Sequence, residues 1–362
     1  MRDLAIRDIT YAQAVREGLD QAMEQDASVI VIGEGVPDPK AIFNTTSGLQ
    51  EKYGARRVFD MPLAENGATG FCIGAALSGM RPVMIHQRVD FALLAMDQLV
   101  NNAAKWHYMF NGKTSVPMVV RVIVGRGWGQ GPQHSQSLQA MFAQVPGLKV
   151  VMPTTAYDAK GMLIAAIEDN NPVIFIEHRW LHQIKDNVPA AYYRVAIGQA
   201  KVLHAGDAVT VAAFSYMAVE SLIAAKALMT AMGIAIEVLD MRSVSPLDVT
   251  SVLHSVRKTG RLIVADTAFR TGSIAGELIS QVVEQAFNAL VTPPIRIASP
   301  DHPVPTSQFM AENYYPDPKT VADAVIDMLG ADKNSDAYRT LCAMLLRDGP
   351  HDTPNRGFTG PF

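Results

Sequence analysis

The chain has 362 residues, 49% of them hydrophobic and 18% charged, which suits two domains with cores of their own better than one small module. Its 31 basic against 35 acidic residues leave a net charge of -4 and a pI near 6.1, without the positive field that nucleic acid or an anionic membrane would require. The two cysteines, Cys72 and Cys342, lie far apart without metal-type spacing, and no run approaches the roughly 18 apolar residues of a membrane span. With acidic residues early in the N-terminus and no apolar leader there, we expect an unprocessed cytoplasmic protein.

In chain order, apolar β-branched runs alternate with helical patterns. The runs are SVIVIGEG (28–35), RPVMIHQ (81–87), VPMVVRVIVG (116–125), KVVMP (149–153) and PVIFIEH (172–178). Between them lie TYAQAVREGLDQAMEQ, ATGFCIGAALSG, ALLAMDQLVNNAAKWHYMF and AYDAKGMLIAAIED, each with apolar residues at a spacing near 3.6. Such alternation predicts an α/β fold, a mostly parallel sheet with helices on both faces. The pattern pauses over 186–207 and restarts as a second, smaller α/β unit from AVTVAAFS to AGELISQVVEQAFNAL. We therefore expect domains at 1–190 and 191–330, and read the polar stretch 331–362 as a loosely held tail or an arm docking on a neighbour.

Three stretches carry chemistry. In DMPLAENGATGFCIGAALSG, Glu65 stands between a proline-marked turn and a run of small apolar residues, where a carboxylate loses hydration and needs a partner or a task. In GRGWGQGPQHSQ, Gly125, Gly127, Gly129 and Gly131 follow a strand-like run directly, but match neither the dinucleotide nor the P-loop spacing. That loop is either a ligand loop or a flexible surface turn, and His134 on it is a candidate for proton transfer or anion binding, or a plain polar loop residue. In AAIEDNNPV a helix ends at adjacent amides, so carbonyls could converge on a cation, although a tight helix-to-strand turn accounts for it equally. Phe91 opens an amphipathic helix, as core or as a stacking platform for a flat ring. There is no GxSxG, HExxH or Cys/His cluster to support a hydrolase triad or zinc chemistry.

Taken together, DMPLAENGATGFCIGAALSGMRPV, AMDQLVNNAAKWHYMF, GPQHSQS, PGLKVVMP, YDAKGMLIAAIEDNNPVIFIEH, MRSVSPLD and KTGRLIVAD resemble, in order, the beta subunit of the thiamine-diphosphate-dependent 2-oxo acid dehydrogenases, the decarboxylating component of the pyruvate, branched-chain and acetoin complexes. The resemblance runs over roughly residues 5–330. It implies a transketolase-like pyrimidine-binding domain followed by a transketolase C-terminal domain. It further implies that Glu65 exchanges a proton with the ring nitrogen of the cofactor's aminopyrimidine, that Phe91 packs against that ring, that Glu34 is a second acidic group close to the cofactor, and that His134 lies near the substrate. By the same resemblance, Ala166, Asp169 and Asn171 would fall at a structural monovalent-cation loop, such as one for K⁺.

The chain has no GDG segment with its paired asparagines, so the resemblance implies that Mg²⁺ and the diphosphate are held by an alpha-type subunit, in an assembly of two alpha and two beta chains. The small residues Gly67, Ala68, Gly70, Gly74, Ala75 and Ala76 suit close helix packing at such a contact or within the chain. The expected reaction is decarboxylation of pyruvate or a similar short 2-oxo acid, or cleavage of acetoin, with the acyl group passed to a lipoyl acyltransferase. A nonoxidative thiamine-diphosphate decarboxylase or carboligase subunit, and an inactive structural paralogue, are the alternatives. His86 and Arg88 depart from the family pattern, as a cationic place for a more acidic substrate or as partners of Asp90, and ADTAFRTGS departs from it in the second domain.

Overall fold

The computed structural model describes residues 6–347 and 349–354. Two compact units divide the chain: one holds residues up to Gly125 together with Met141–Ile197, the other Arg126–Ala140 and the residues from Gly198 onward.

The N-terminal unit begins with β1 (Ile6–Thr10) and α1 (Tyr11–Gln25), joined by a capping box in which the Thr10 hydroxyl accepts from the Gln13 N–H and the Gln13 side chain accepts from the Thr10 N–H. There follow β2 (Val29–Gly33), α2 (Leu49–Tyr53), β3 (Val58–Phe59), α3 (Glu65–Leu77), β4 (Arg81–His86), α4 (Val89–Ala92), α5 (Ala104–Met109) and β5 (Val119–Val124). After α6 (Gln139–Ala143) come β6 (Lys149–Val151), α7 (Ala156–Glu168), β7 (Val173–His178) and β8 (Lys185–Pro189). Within this unit the parallel strands run β6-β7-β5-β4-β2-β3, while β8 pairs antiparallel with β1. β2, β5 and β7 are buried at every residue, which is why they read as mostly apolar runs, broken only by Arg121 in β5 and by Glu177 and His178 at the end of β7. The chain leaves β2 towards β3 on one side and returns to β4 on the other, so a topological switch lies between β2 and β4, where ligands of open α/β sheets bind at the strands' carboxyl ends.

The C-terminal unit adds β9 (Lys201–His204), β10 (Thr210–Ala213), α8 (Tyr216–Met232), β11 (Glu237–Asp240), β12 (Ser243–Ser245), α9 (Val249–Thr259), β13 (Leu262–Phe269), α10 (Ile274–Ala286), β14 (Ile295–Ser299), α11 (Gln308–Ala311), α12 (Pro318–Leu329) and α13 (Asp336–Met344). Its five-stranded sheet has the order β14-β13-β10-β11-β9, with β9 antiparallel.

Residues 331–354 are not the loose tail expected. Ser335 caps α13 by accepting from the Tyr338 N–H, Leu341 and Leu345 join the core formed with α8 and α12, and the Tyr338 hydroxyl donates to Asp323 Oδ1 at 2.7 Å. Burying two leucines contributes roughly 3–6 kcal/mol, enough to hold a nine-residue helix that would be marginal alone. The remainder of the expected tail lies outside the described residues. Nor does 126–140 stay with the N-terminal unit, although it directly follows β5. No described helix is long and apolar enough to cross a membrane.

Candidate active site

In the N-terminal unit the carboxyl ends of the central strands gather the acidic candidates. Glu34 follows Gly33, where a Cβ would overlap the Ile85 carbonyl, so glycine lets β2 lie close to β4. The turn after Glu34 is tied down by Asp60, whose Oδ1 accepts the N–H groups of Gly35 (3.0 Å) and Met61 (2.9 Å). Asp60 thus joins the end of β2 to the Met61-Pro62 turn that leads into α3. Glu65 is the first residue of that helix, where the unsatisfied N–H groups favour a carboxylate. Its side chain is 8% exposed and meets no hydrogen-bonding or ionic partner among the described residues. Thr69 fixes the helix beneath it, donating to the Glu65 carbonyl at 2.8 Å and lying 3.1 Å from Met84 Sδ on β4.

Burial, then the charges of Glu65 and Asp60, hold the Glu34 carboxyl above the usual range. The structure therefore brings together Glu34 and Glu65, and adds Asp60, which sequence reasoning passed over; its adjacency to the Met61-Pro62 turn was the available signal. Phe91, in α4 after β4, keeps 36% of its surface exposed, which suits a platform better than a core residue.

The ends of β4 and β7, which flank β5, supply a basic layer. His86 is buried, its Nε2 has no partner among the described residues, and loss of hydration pushes its pKa down to about 4, so it is neutral rather than the cation considered from sequence. Arg88 and Arg179 are also buried, and both guanidinium groups lie on the Phe43 ring, at 5.0 and 4.7 Å. Burial, then repulsion from Arg179, lowers Arg88 to about 10, while the Asp90 carboxylate opposes that shift. Beneath them Arg121 Nε donates to Glu177 Oε1 at 2.6 Å and Arg121 Nη2 to Thr45 Oγ1 at 3.0 Å.

Ala166, Asp169 and Asn171 do share one turn. The Asp169 carboxylate binds the Lys149 ammonium, and the carbonyls of Ile167 and Asp169 accept Arg81 Nη1 at 2.9 and 3.0 Å. Two cationic side chains thus already occupy acceptors of this turn, and no cluster of three His, Cys, Asp or Glu suited to a metal occurs among the described residues.

His134 belongs to the C-terminal unit, on a loop stapled at both ends rather than left flexible. On its far side Gln139 Nε2 donates to Asp266 Oδ1 at 2.5 Å, and the Ser137 and Thr267 hydroxyls lie 2.7 Å apart. On its near side the Tyr315 hydroxyl accepts the Gly127 N–H at 3.2 Å, and the Arg126 guanidinium lies 4.3 Å over the Tyr315 ring. These contacts explain why 126–140 groups with this unit.

Comparison with known proteins agrees with this architecture. Residues 7–183 match the transketolase pyrimidine binding domain and residues 198–321 the transketolase C-terminal domain, which makes the chain a transketolase-type protein. A solved split-gene transketolase, described as an inactive beta4 tetramer, shares the fold with a TM-score of 0.72 at 22% identity, over 90% of this chain and 99% of that one. The chain is 40% identical over 328 residues to the acetoin:2,6-dichlorophenolindophenol oxidoreductase subunit beta of Cupriavidus necator, covering 88% of this chain and 96% of that one. It is 40% identical to the pyruvate dehydrogenase E1 component subunit beta of Acholeplasma laidlawii (87% and 96% covered) and 39% identical to the 2-oxoisovalerate dehydrogenase subunit beta of Pseudomonas aeruginosa (88% and 94%). The chain belongs to the family of beta subunits of the thiamine-diphosphate-dependent 2-oxo acid dehydrogenases.

Proposed function

We propose that this chain supplies the proton-handling half of a site that decarboxylates pyruvate or a similar short 2-oxo acid. The observation that carries this reading is Glu65: a nearly buried carboxylate at a helix N-terminus, unpartnered within the described residues, beside a second carboxylate whose ionisation is disfavoured. An acceptor of that kind, together with the exposed Phe91 ring, fits a nitrogen heterocycle with a protonatable ring atom.

Glu65 would hold or release a proton at Oε towards that ring nitrogen, and Phe91 would hold the ring's face. Glu34 would lie beside Glu65 as a second carboxyl close to the ring, its ionisation disfavoured first by burial and then by the Glu65 and Asp60 charges. His134, fixed between two staples, would donate to the substrate's carboxylate or carbonyl. When bound, thiamine diphosphate supplies the electron sink for decarboxylation.

The diphosphate and Mg²⁺ would be held by an alpha-type subunit, in keeping with relatives that are themselves beta subunits. α3 and the turn before it suit such a contact: Leu63, in that turn, is 84% and Phe71, in α3, 54% exposed, and among the described residues nothing lies within 4 Å of a Cβ placed on Gly74. We infer two alpha and two beta chains, a lipoyl acyltransferase as acyl acceptor, and a cytoplasmic location consistent with two free cysteines. A monovalent cation at Ala166, Asp169 and Asn171 would compete with Lys149 and Arg81 for the turn's oxygens.

Calorimetric titration of thiamine diphosphate with Mg²⁺ tests the split site. Binding only when the chain is copurified with its alpha-type partner is the expected result, and full binding to the chain alone would sink the reading.

A further inference from the structure

In the glycine loop before His134 the sequence explains the left-handed backbone at the glycines but not at Trp128. Gly127 (φ +64), Trp128 (φ +53), Gly129 (φ +69) and Gly131 (φ +65) all adopt left-handed geometry. For Trp128, which carries a Cβ, that conformation costs about 1–2 kcal/mol and persists only where the surroundings enforce it.

The enforcing contacts come from the far end of the chain, within the same unit. The Trp128 N–H donates to the Asp352 carbonyl at 2.9 Å, so the strained residue is itself the one held. The Asp352 backbone lies so close over Gly127 that a Cβ there would overlap its carbonyl, and a Cβ on Gly131 would overlap Thr306 Oγ1. Asp352 is anchored in turn, its Oδ1 accepting Gln308 Nε2 at 3.0 Å, and Arg347 Nη2 closes the segment by donating to the Thr353 carbonyl. Asp352 and Thr353 are 5% and 8% exposed. Arg347, Asp352 and Thr353 lie beyond residue 321, where the match to the transketolase C-terminal domain ends, while Thr306 and Gln308 lie within it.

We propose that residues 349–354 form a strap that sets the conformation of loop 126–131, and that Asp352 is thereby a positioning residue for His134. This rests on the reaction proposed above for its catalytic part, and on geometry alone for the strap. With the strap in place His134 is presented from a single loop conformation. Without it Trp128 can relax out of left-handed geometry and the histidine is no longer held for the substrate.

The test uses the chain copurified with its alpha-type partner, as wild type, with residues 349–362 deleted, and as Gly127→Ala in the full chain. Deuterium exchange over 126–134, with the Trp128 amide as the central probe, should speed up about tenfold or more on deletion, because that N–H loses its acceptor. Decarboxylation of pyruvate with dichlorophenolindophenol as oxidant should lose about tenfold or more in kcat, with KM changed far less, as misplacement of a catalytic group predicts. Gly127→Ala should reproduce both effects by forcing the strap away, and should do less harm in the deleted background. Unchanged exchange after deletion overturns the strap. Faster exchange with intact kcat overturns the positioning role and leaves a stabilising one. If wild-type assembly shows no decarboxylation, the proposed function fails, and the exchange result still decides the strap.

Discussion

Replacing Arg121 by methionine removes one side of a charge pair that is wholly out of water. Both Arg121 and Glu177 are 0% exposed, 2.6 Å apart between Nε and Oε1, and His182 Nε2 lies 3.2 Å from the other carboxylate oxygen. Burial raises the Glu177 carboxyl, but Arg121 and then His182 more than offset that and bring it down to about 2. Arg121→Met strands the carboxylate in the core, which costs about 3–5 kcal/mol. At roughly 2–4 °C per kcal/mol for a unit of this size, the thermal midpoint should fall by about 6–20 °C at pH 7. Arg121→Met with Glu177→Leu should recover most of that loss, since a buried pair replaced by apolar residues is often neutral. The folded carboxyl lies below its unfolded value, so the pair's contribution is present above about pH 4.3 and is lost as pH falls towards 2. The deficit of the single variant should therefore shrink at pH 3. Scanning calorimetry of the three proteins decides it: a single variant within about 1 kcal/mol of wild type, or a double variant as unstable as the single one, would refute the reasoning.

Two further outcomes follow from the same sheet edge. His86 is held near 4 against an unfolded value of about 6.5, so the native state binds fewer protons between those pH values and loses stability as pH falls, by roughly 2 kcal/mol at pH 5. His86→Gln should flatten the melting temperature between pH 7 and 5, and an unchanged slope would show that other groups carry it. Phe91→Ala should weaken thiamine diphosphate binding to the assembled protein about 3- to 10-fold by calorimetry while barely shifting the melting temperature, because its ring is 36% exposed; a large loss of stability with unchanged affinity would make it a core residue.

The central strands were legible because burial on both faces leaves mostly apolar residues to write them, as in VIVIG and in VVRVIV, whose one charge, Arg121, is paired with Glu177. β1 and β8, IRDIT and KDNVP, were not, since an antiparallel pair half open to water carries no such run. α13 showed only as a short amphipathic patch inside a polar stretch; the contact of Leu341 and Leu345 with α8 and α12 shows that they are core. At the site, Glu65 and Phe91 stood out as residue types at odds with their neighbours. Asp60 did not, because its task is to accept two backbone N–H groups, one of them 25 residues away in sequence. The strap is likewise a long-range backbone contact, invisible to local pattern.

The most direct measurement is 2-oxo acid decarboxylation by the copurified alpha and beta chains carrying Glu65→Gln, with assembly and cofactor affinity measured alongside. The glutamine keeps the shape and removes the proton-accepting oxygen, so turnover should fall by about 10²- to 10⁴-fold while assembly stays intact. Turnover within about threefold of wild type would contradict the account and leave Glu65 a buried structural carboxyl.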